Sequence, residues 1–98
     1  MSAPQIGIVP LFNDDPMRFD VTIRDQSGVS RHQLTISRED LARLGGGADA
    51  EAVIVAAFRF LLDREPKEAI LSRFDINVIA RYFPDFESRL GAYLNTRS

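Results

Sequence analysis

His32 is the only histidine among the 98 residues and the one side chain suited to moving protons near neutral pH. As a general base it needs a nucleophile or an orienting carboxylate brought from elsewhere in the fold. The alternation around it puts it on an inward-facing strand position near a turn, opposite Ile23, where a hydrogen-bonded rim histidine is expected. Asp14-Asp15 offer adjacent carboxylates to a hard cation, yet such a site takes about six to eight oxygen ligands and no loop supplies them. A solvated turn before Pro16 is expected instead. Gly45-Gly46-Gly47 bares backbone amides beside a helix start, as phosphate loops do. The preceding buried strand and the lysine of such a loop are missing, and Asp49 stands where the phosphate would sit. A hinge between two helices is the expectation. The absence of cysteine removes disulfides, thiolate zinc sites and thiol nucleophiles. No catalytic, metal-binding or cofactor-binding set emerges, so a non-enzymatic chain without cofactor is expected.

The segment Asp63-Arg64-Glu65-Pro66-Lys67-Glu68 mixes both signs of charge, with Arg59–Asp63 and Arg64–Glu68 at helical spacing. It flanks Phe58, Phe60, Phe74, Tyr82, Phe83, Phe86 and Tyr93, most of which should be core. Tyr82 and Tyr93 carry polar ends that suit an interface. Phe60, Arg64, Tyr82 and Tyr93 are therefore the candidate partner surface. The partner is another protein or a second copy of the chain, and no small-molecule ligand is indicated. A net charge of −2 gives no general attraction for nucleic acid or anionic lipid, so any basic patch must be local. No stretch approaches the ~18 apolar residues of a membrane span. The first residues, broken by Pro4 and Pro10, lack the pattern of a secretion signal, and a cytoplasmic location is expected.

These residues must be positioned by one small core, since 98 residues with 45% hydrophobic content do not support two. The expected class is α+β: an antiparallel hairpin over about 17–25 and 30–36, then short helices at about 38–44, 50–65, 67–83 broken near 75, and 84–94. Residues 1–16, with three of the five prolines, read as an extended arm in which Ile6 and Ile8 add an edge strand. The domain spans 17–95, and 96–98 are a frayed tail. In the hairpin Met17, Phe19, Val21 and Ile23 alternate with Arg18, Asp20, Thr22 and Arg24. A turn at Ser27-Gly28 sets Val21 against Leu34, Phe19 against Ile36 and Ile23 against His32. Ser37-Arg38-Glu39-Asp40 forms a capping box, with Glu39 and Arg43 paired outside the helix it starts. Asp49 caps the next helix, whose middle is apolar nearly all round. Either the hairpin and the last helices cover it from two sides, or a second copy does. Ala69, Ile70, Leu71 and Phe74 fall in helical register, Asp75 caps a further helix, and Pro84 opens the last one, with Phe86, Leu90, Tyr93 and Leu94 on one face.

Leu34-Thr35-Ile36-Ser37-Arg38-Glu39-Asp40-Leu41, followed by Gly47-Ala48-Asp49-Ala50-Glu51-Ala52-Val53-Ile54-Val55-Ala56-Ala57-Phe58, resembles the strand, helix, glycine, small-residue cap and helix of ribbon-helix-helix proteins. Across 31–62 this resemblance implies an alternative function, a DNA-binding regulator or antitoxin. Arg31, Gln33 and Thr35 would then meet base edges. Residues 58–84, through Phe58-Arg59-Phe60-Leu61-Leu62-Asp63-Arg64-Glu65-Pro66-Lys67 and Tyr82-Phe83-Pro84, are similar to a group of small bacterial hypothetical proteins. That similarity implies a bacterial, cytoplasmic origin and no particular chemistry. The expected function is a protein-interaction module, self-associating or not.

Overall fold

The alternating segments become strands, and all but one of the 3.6-period segments helices, in a computed structural model that describes residues 4–94. The tail expected at 96–98 lies outside the described residues. Strands β1 (Gln5–Phe12), β2 (Met17–Asp25), β3 (Gly28–Ile36) and β4 (Arg73–Asp75) form one sheet in the order β1-β2-β3-β4. Helices α1 (Arg38–Gly45), α2 (Ala50–Leu62), α3 (Asn77–Tyr82) and α4 (Phe86–Leu94) complete the chain, with a single 3₁₀ turn at Lys67–Ala69. This is the expected α+β class, with a four-stranded sheet where a hairpin was expected. Residues 5–12 are its first edge, paired antiparallel from Gln5↔Arg24 to Phe12↔Arg18 with a bulge between Pro10 and Phe12.

The hairpin register is displaced by two residues from expectation. Phe19 lies opposite Leu34, Val21 opposite His32 and Ile23 opposite Ser30. The cause is Asp25: its Oδ1 accepts from the Ser27 amide and from Ser27 Oγ, each at 2.8 Å, and so centres the turn on Gln26 and Ser27. Gly28 closes the turn at φ +137°, where a side chain is strained. A shift of two leaves every side chain on its face, so Met17, Phe19, Val21, Ile23, Leu34 and Ile36 are all buried as the alternation required.

The segment after Pro66 departs further. Residues 67–75 are a 3₁₀ turn followed by β4, not a helix. The free edge of β3 decides this, because its backbone groups need partners more than the weak helical register of Ala69 to Phe74 needs satisfying. Gln33 N–H donates to the Ser72 carbonyl at 2.8 Å and Ile76 N–H to the Thr35 carbonyl at 2.9 Å, with Leu34 beside Phe74 in a parallel ladder. A parallel return of this kind needs a long crossover, which α1 and α2 supply.

Helix α2 is the centre. Val53, Ile54, Ala56, Ala57, Phe58, Phe60 and Leu61 are all buried, and the chain covers them itself. On the sheet side Phe58 meets the ring of His32 edge-on at 5.5 Å and stacks with Phe74 at 5.9 Å. On the other side Phe60 meets Phe86 at 5.1 Å, Tyr93 at 5.8 Å and Phe83 at 5.9 Å. Ser37 Oγ accepts from Asp40 N–H and Asp49 Oδ1 from Ala52 N–H, so both expected caps form. Gly46 ends α1 at φ +56°, and a Cβ on Gly45 would come within 3.0 Å of Val53 Cγ2. The expected Glu39–Arg43 pair is replaced: Arg43 turns to Asp40 at 2.9 Å and to Glu87 at 2.6 Å, and Asn77 donates to the same Asp40, clasping α1, α3 and α4 together. The helices lie on the face of the sheet that carries the buried strand residues, and the other face is open.

Candidate functional site

His32 is 4% exposed. Its Nδ1 lies 2.7 Å from the Leu71 carbonyl, which only accepts, so Nδ1 carries a proton. In the neutral ring Nε2 then accepts from Ser30 Oγ–H at 2.8 Å. A serine, an imidazole and a backbone carbonyl in line resemble a nucleophile, its base and an orienting group. The ring is buried edge-on against Phe58, and its bond to the Leu71 carbonyl fastens the segment before β4 to β3. Asp15 likewise serves the fold, since its Oδ1 accepts from Arg38 N–H at 3.0 Å at the start of α1.

Lys67 gave no signal in the sequence beyond its place in a charged run, yet its side chain is 1% exposed. The ammonium reaches back to the hairpin turn, 2.8 Å from Asp25 Oδ1, with Ser27 Oγ and Glu68 as its other partners. It thus uses its three donors at once. The Lys67 ammonium, with help from Ser27, holds the Asp25 carboxyl down at about 2. Asp25 and then Glu68 in turn raise Lys67 above its ordinary value, because the bonds to the charged form outweigh burial.

The four residues expected at a partner surface separate. Phe60 is fully buried and belongs to the core, because α4 closes the side of α2 on which it lies. Arg64 sits 3.6 Å over the Phe60 ring, donates to the Phe60 carbonyl and Tyr93 hydroxyl, and pairs with Asp85 at 3.2 Å. Tyr93 donates to Asp63. Arg64 and Tyr93 therefore tie α4 to α2, and the expected Arg64–Glu68 pair gives way because α2 stops at Leu62. Tyr82 stands apart at 67% exposed.

Tyr82 borders a cleft of about 360 Å³ between the end of α2, the 67–75 segment and α3, floored by Leu61, Ile70, Phe74, Ile79 and Phe83. Leu71, 46% exposed, borders it too, and Glu65 is the one charged residue in its wall. A small-molecule site of this size places several polar groups convergently. Glu65 and the Tyr82 hydroxyl are the only polar side-chain groups in this lining, which suits apolar side chains better. The sequence could not show this cleft, because it depends on residues 70–74 leaving helical geometry.

Arg31, Gln33 and Thr35 lie on the open face of the sheet. Thr35 Oγ1 donates to Asp75 Oδ1 at 2.7 Å, Gln33 is half-buried between Asp20 and Arg73, and Arg31 is exposed. Over 33–35, β3 is bonded to β2 on one side and β4 on the other. Among the described residues no group of three or more His, Cys, Asp or Glu side chains is placed to hold a metal ion, and no helix is long and apolar enough to cross a membrane.

Fold and cleft together define an α+β chain with a helical layer on one face of a four-stranded sheet. Comparison with protein-family models, with curated proteins and with solved structures finds no match.

Proposed function

We propose that this chain is a non-enzymatic protein-interaction module that docks apolar side chains of a partner protein in the cleft beside α3. The observation that carries this reading is the pair of exposed apolar lips, Tyr82 and Leu71, over an apolar floor. Interfaces are anchored where an aromatic or aliphatic side chain enters a desolvated pocket, and tyrosine is among the residues enriched there.

The test is a panning of displayed random peptides against the wild-type chain and, in parallel, against a Leu71→Asp/Tyr82→Asp variant. Both positions are exposed, so the variant keeps its circular dichroism spectrum and stability to within about 0.5 kcal/mol. Peptides with apolar anchors that bind the wild type and lose at least about 10-fold in affinity on the variant support the reading. Equal binding by the variant overturns it. Sedimentation equilibrium on both proteins identifies a second copy as the occupant if a wild-type dimer becomes monomeric in the variant.

A further inference from the structure

The open face of the sheet carries a charge pattern that neither the net charge nor the cleft explains. By register its positions are Gln5, Gly7 and Val9 on β1, Arg18, Asp20, Thr22 and Arg24 on β2, Val29, Arg31, Gln33 and Thr35 on β3, and Arg73 and Asp75 on β4. Four arginines stand against two aspartates on this face, in a chain whose net charge is −2. Arg24 is opposite Val29, so Arg31 is its diagonal neighbour. Arg73 is opposite Gln33, so it is the diagonal neighbour of Arg31 in turn. The three form a stripe from β2 to β4 with steps on the order of 7 Å.

Arg24, Arg31 and Arg73 are all exposed, and among the described residues no carboxylate lies within 4.0 Å of any of them. Like charges held as sheet neighbours destabilise the fold. The acid on the stripe's flank is Asp20, diagonal to Arg31, while Asp75 is engaged by Thr35 Oγ1 and the Asn77 amide. Gly7, opposite Thr22, leaves a trough alongside Arg24.

We infer that this face binds a single-stranded polynucleotide through its phosphates, with Arg24, Arg31 and Arg73 as the cationic contacts and Gln33 and Thr22 as neutral ones. The centre of a protein interface is depleted of charge and rich in apolar side chains, whereas here the centre is guanidinium, amide and hydroxyl, and the exposed apolar residues lie at the margins, Val9 on edge strand β1 and Val29 beside the hairpin turn. A duplex is disfavoured by size. Four strands at about 4.8 Å spacing span about 14 Å between the outer two, more than the ~12 Å of a major groove. The arginine face is separate from the cleft, and neither surface depends on the other.

Binding is measured by fluorescence anisotropy of a labelled oligothymidylate of about 16 nucleotides. With three phosphates neutralised on a single strand, the slope of log affinity against log salt is about −2, so affinity falls roughly 20-fold between about 50 and 200 mM salt. Arg31→Gln lowers the magnitude of that slope by about 0.7, and the triple variant Arg24→Gln/Arg31→Gln/Arg73→Gln removes most of it. Arg59→Gln, on an exposed position of α2, leaves both affinity and slope unchanged. Lack of wild-type binding at low salt, or undiminished binding by the triple variant with native circular dichroism, overturns the inference. Equal binding of a duplex of the same length also overturns it. Poly-glutamate displacing the oligonucleotide at equal charge concentration would make an acidic protein segment the occupant, again against it.

Discussion

At the scale of single residues, two buried polar side chains hold the sheet to the rest of the chain. His32 joins Ser30 to the Leu71 carbonyl, and Lys67 joins the hairpin turn to the turn after α2. Both were visible in the sequence as residue types, but their partners lie 39 and 40 positions away, beyond what spacing along one element can reveal. His32→Leu keeps the volume approximately and leaves the Leu71 carbonyl and Ser30 hydroxyl without a partner. The expected loss is about 1–3 kcal/mol, read from the urea midpoint, with hydrogen-exchange protection falling first in β4. An unchanged midpoint would mean that water replaces the imidazole at both groups without loss.

At the scale of elements, the all-round apolar character of α2 is explained by two layers of the same chain. The hairpin face expected to pack on α2 does so, and the opposite side is closed by α4 through Phe86 and Leu90. Phe60 is accordingly a core side chain. Phe60→Ala should cost about 3–5 kcal/mol in equilibrium unfolding, with the loss concentrated in the docking of α4. A cost below about 0.5 kcal/mol would instead place Phe60 at a surface. Short elements were the hardest to foresee. The 3.6 period of Ala69, Ile70, Leu71 and Phe74 is compatible with a helix, and only the vacant edge of β3 turns the segment into β4. The caps Ser37 and Asp49 were legible because their capping bonds span three residues, whereas Asp75, expected to cap α3, ends β4 and accepts from Asn77 N–H while Ile76 takes the N-cap position.

At the scale of the whole molecule, stability against pH draws on the clasp between Lys67 and Asp25, alongside Asp40 and Glu68, whose carboxyls Arg43 and Lys67 respectively hold below their ordinary values. Asp25 titrates at about 2 when folded, below its ordinary 3.8. A depressed carboxyl contributes stability that is complete above the unfolded value and lost as pH falls through the folded one. The loss from this group should therefore run from about pH 4 down to about pH 2. Lys67 is raised above 10.5, so its contribution is complete below that value and lost as pH climbs through the raised one. In Lys67→Met the acid-side fall in unfolding free energy over that window should flatten, and the midpoint of thermal unfolding at pH 7 should drop. An acid limb identical to that of the wild type would remove the clasp from the account. Charge is also gathered unevenly on the open sheet face, which carries four arginines, Arg24, Arg31 and Arg73 among them, against Asp20 and Asp75.

The sequence by itself determined whatever depends on neighbours within a few residues. That covers the α+β class, the alternation that buries one face of the hairpin, the caps Ser37 and Asp49, the apolar α2, and the last helix, which starts at Phe86 just after Pro84. It also placed Arg31, Gln33 and Thr35 on one face, since a period of two survives the displacement of register. Only the tertiary structure decided which apolar side chains stay outside. Phe60 and Tyr82 look alike as aromatic residues near charge, but α4 closes over one and nothing in the described chain covers the other. The cleft and the arginine stripe arise in the same way: each needs β4 beside β3, a contact between segments some 40 residues apart. Backbone groups on an open sheet edge, not local propensity, bring those segments together.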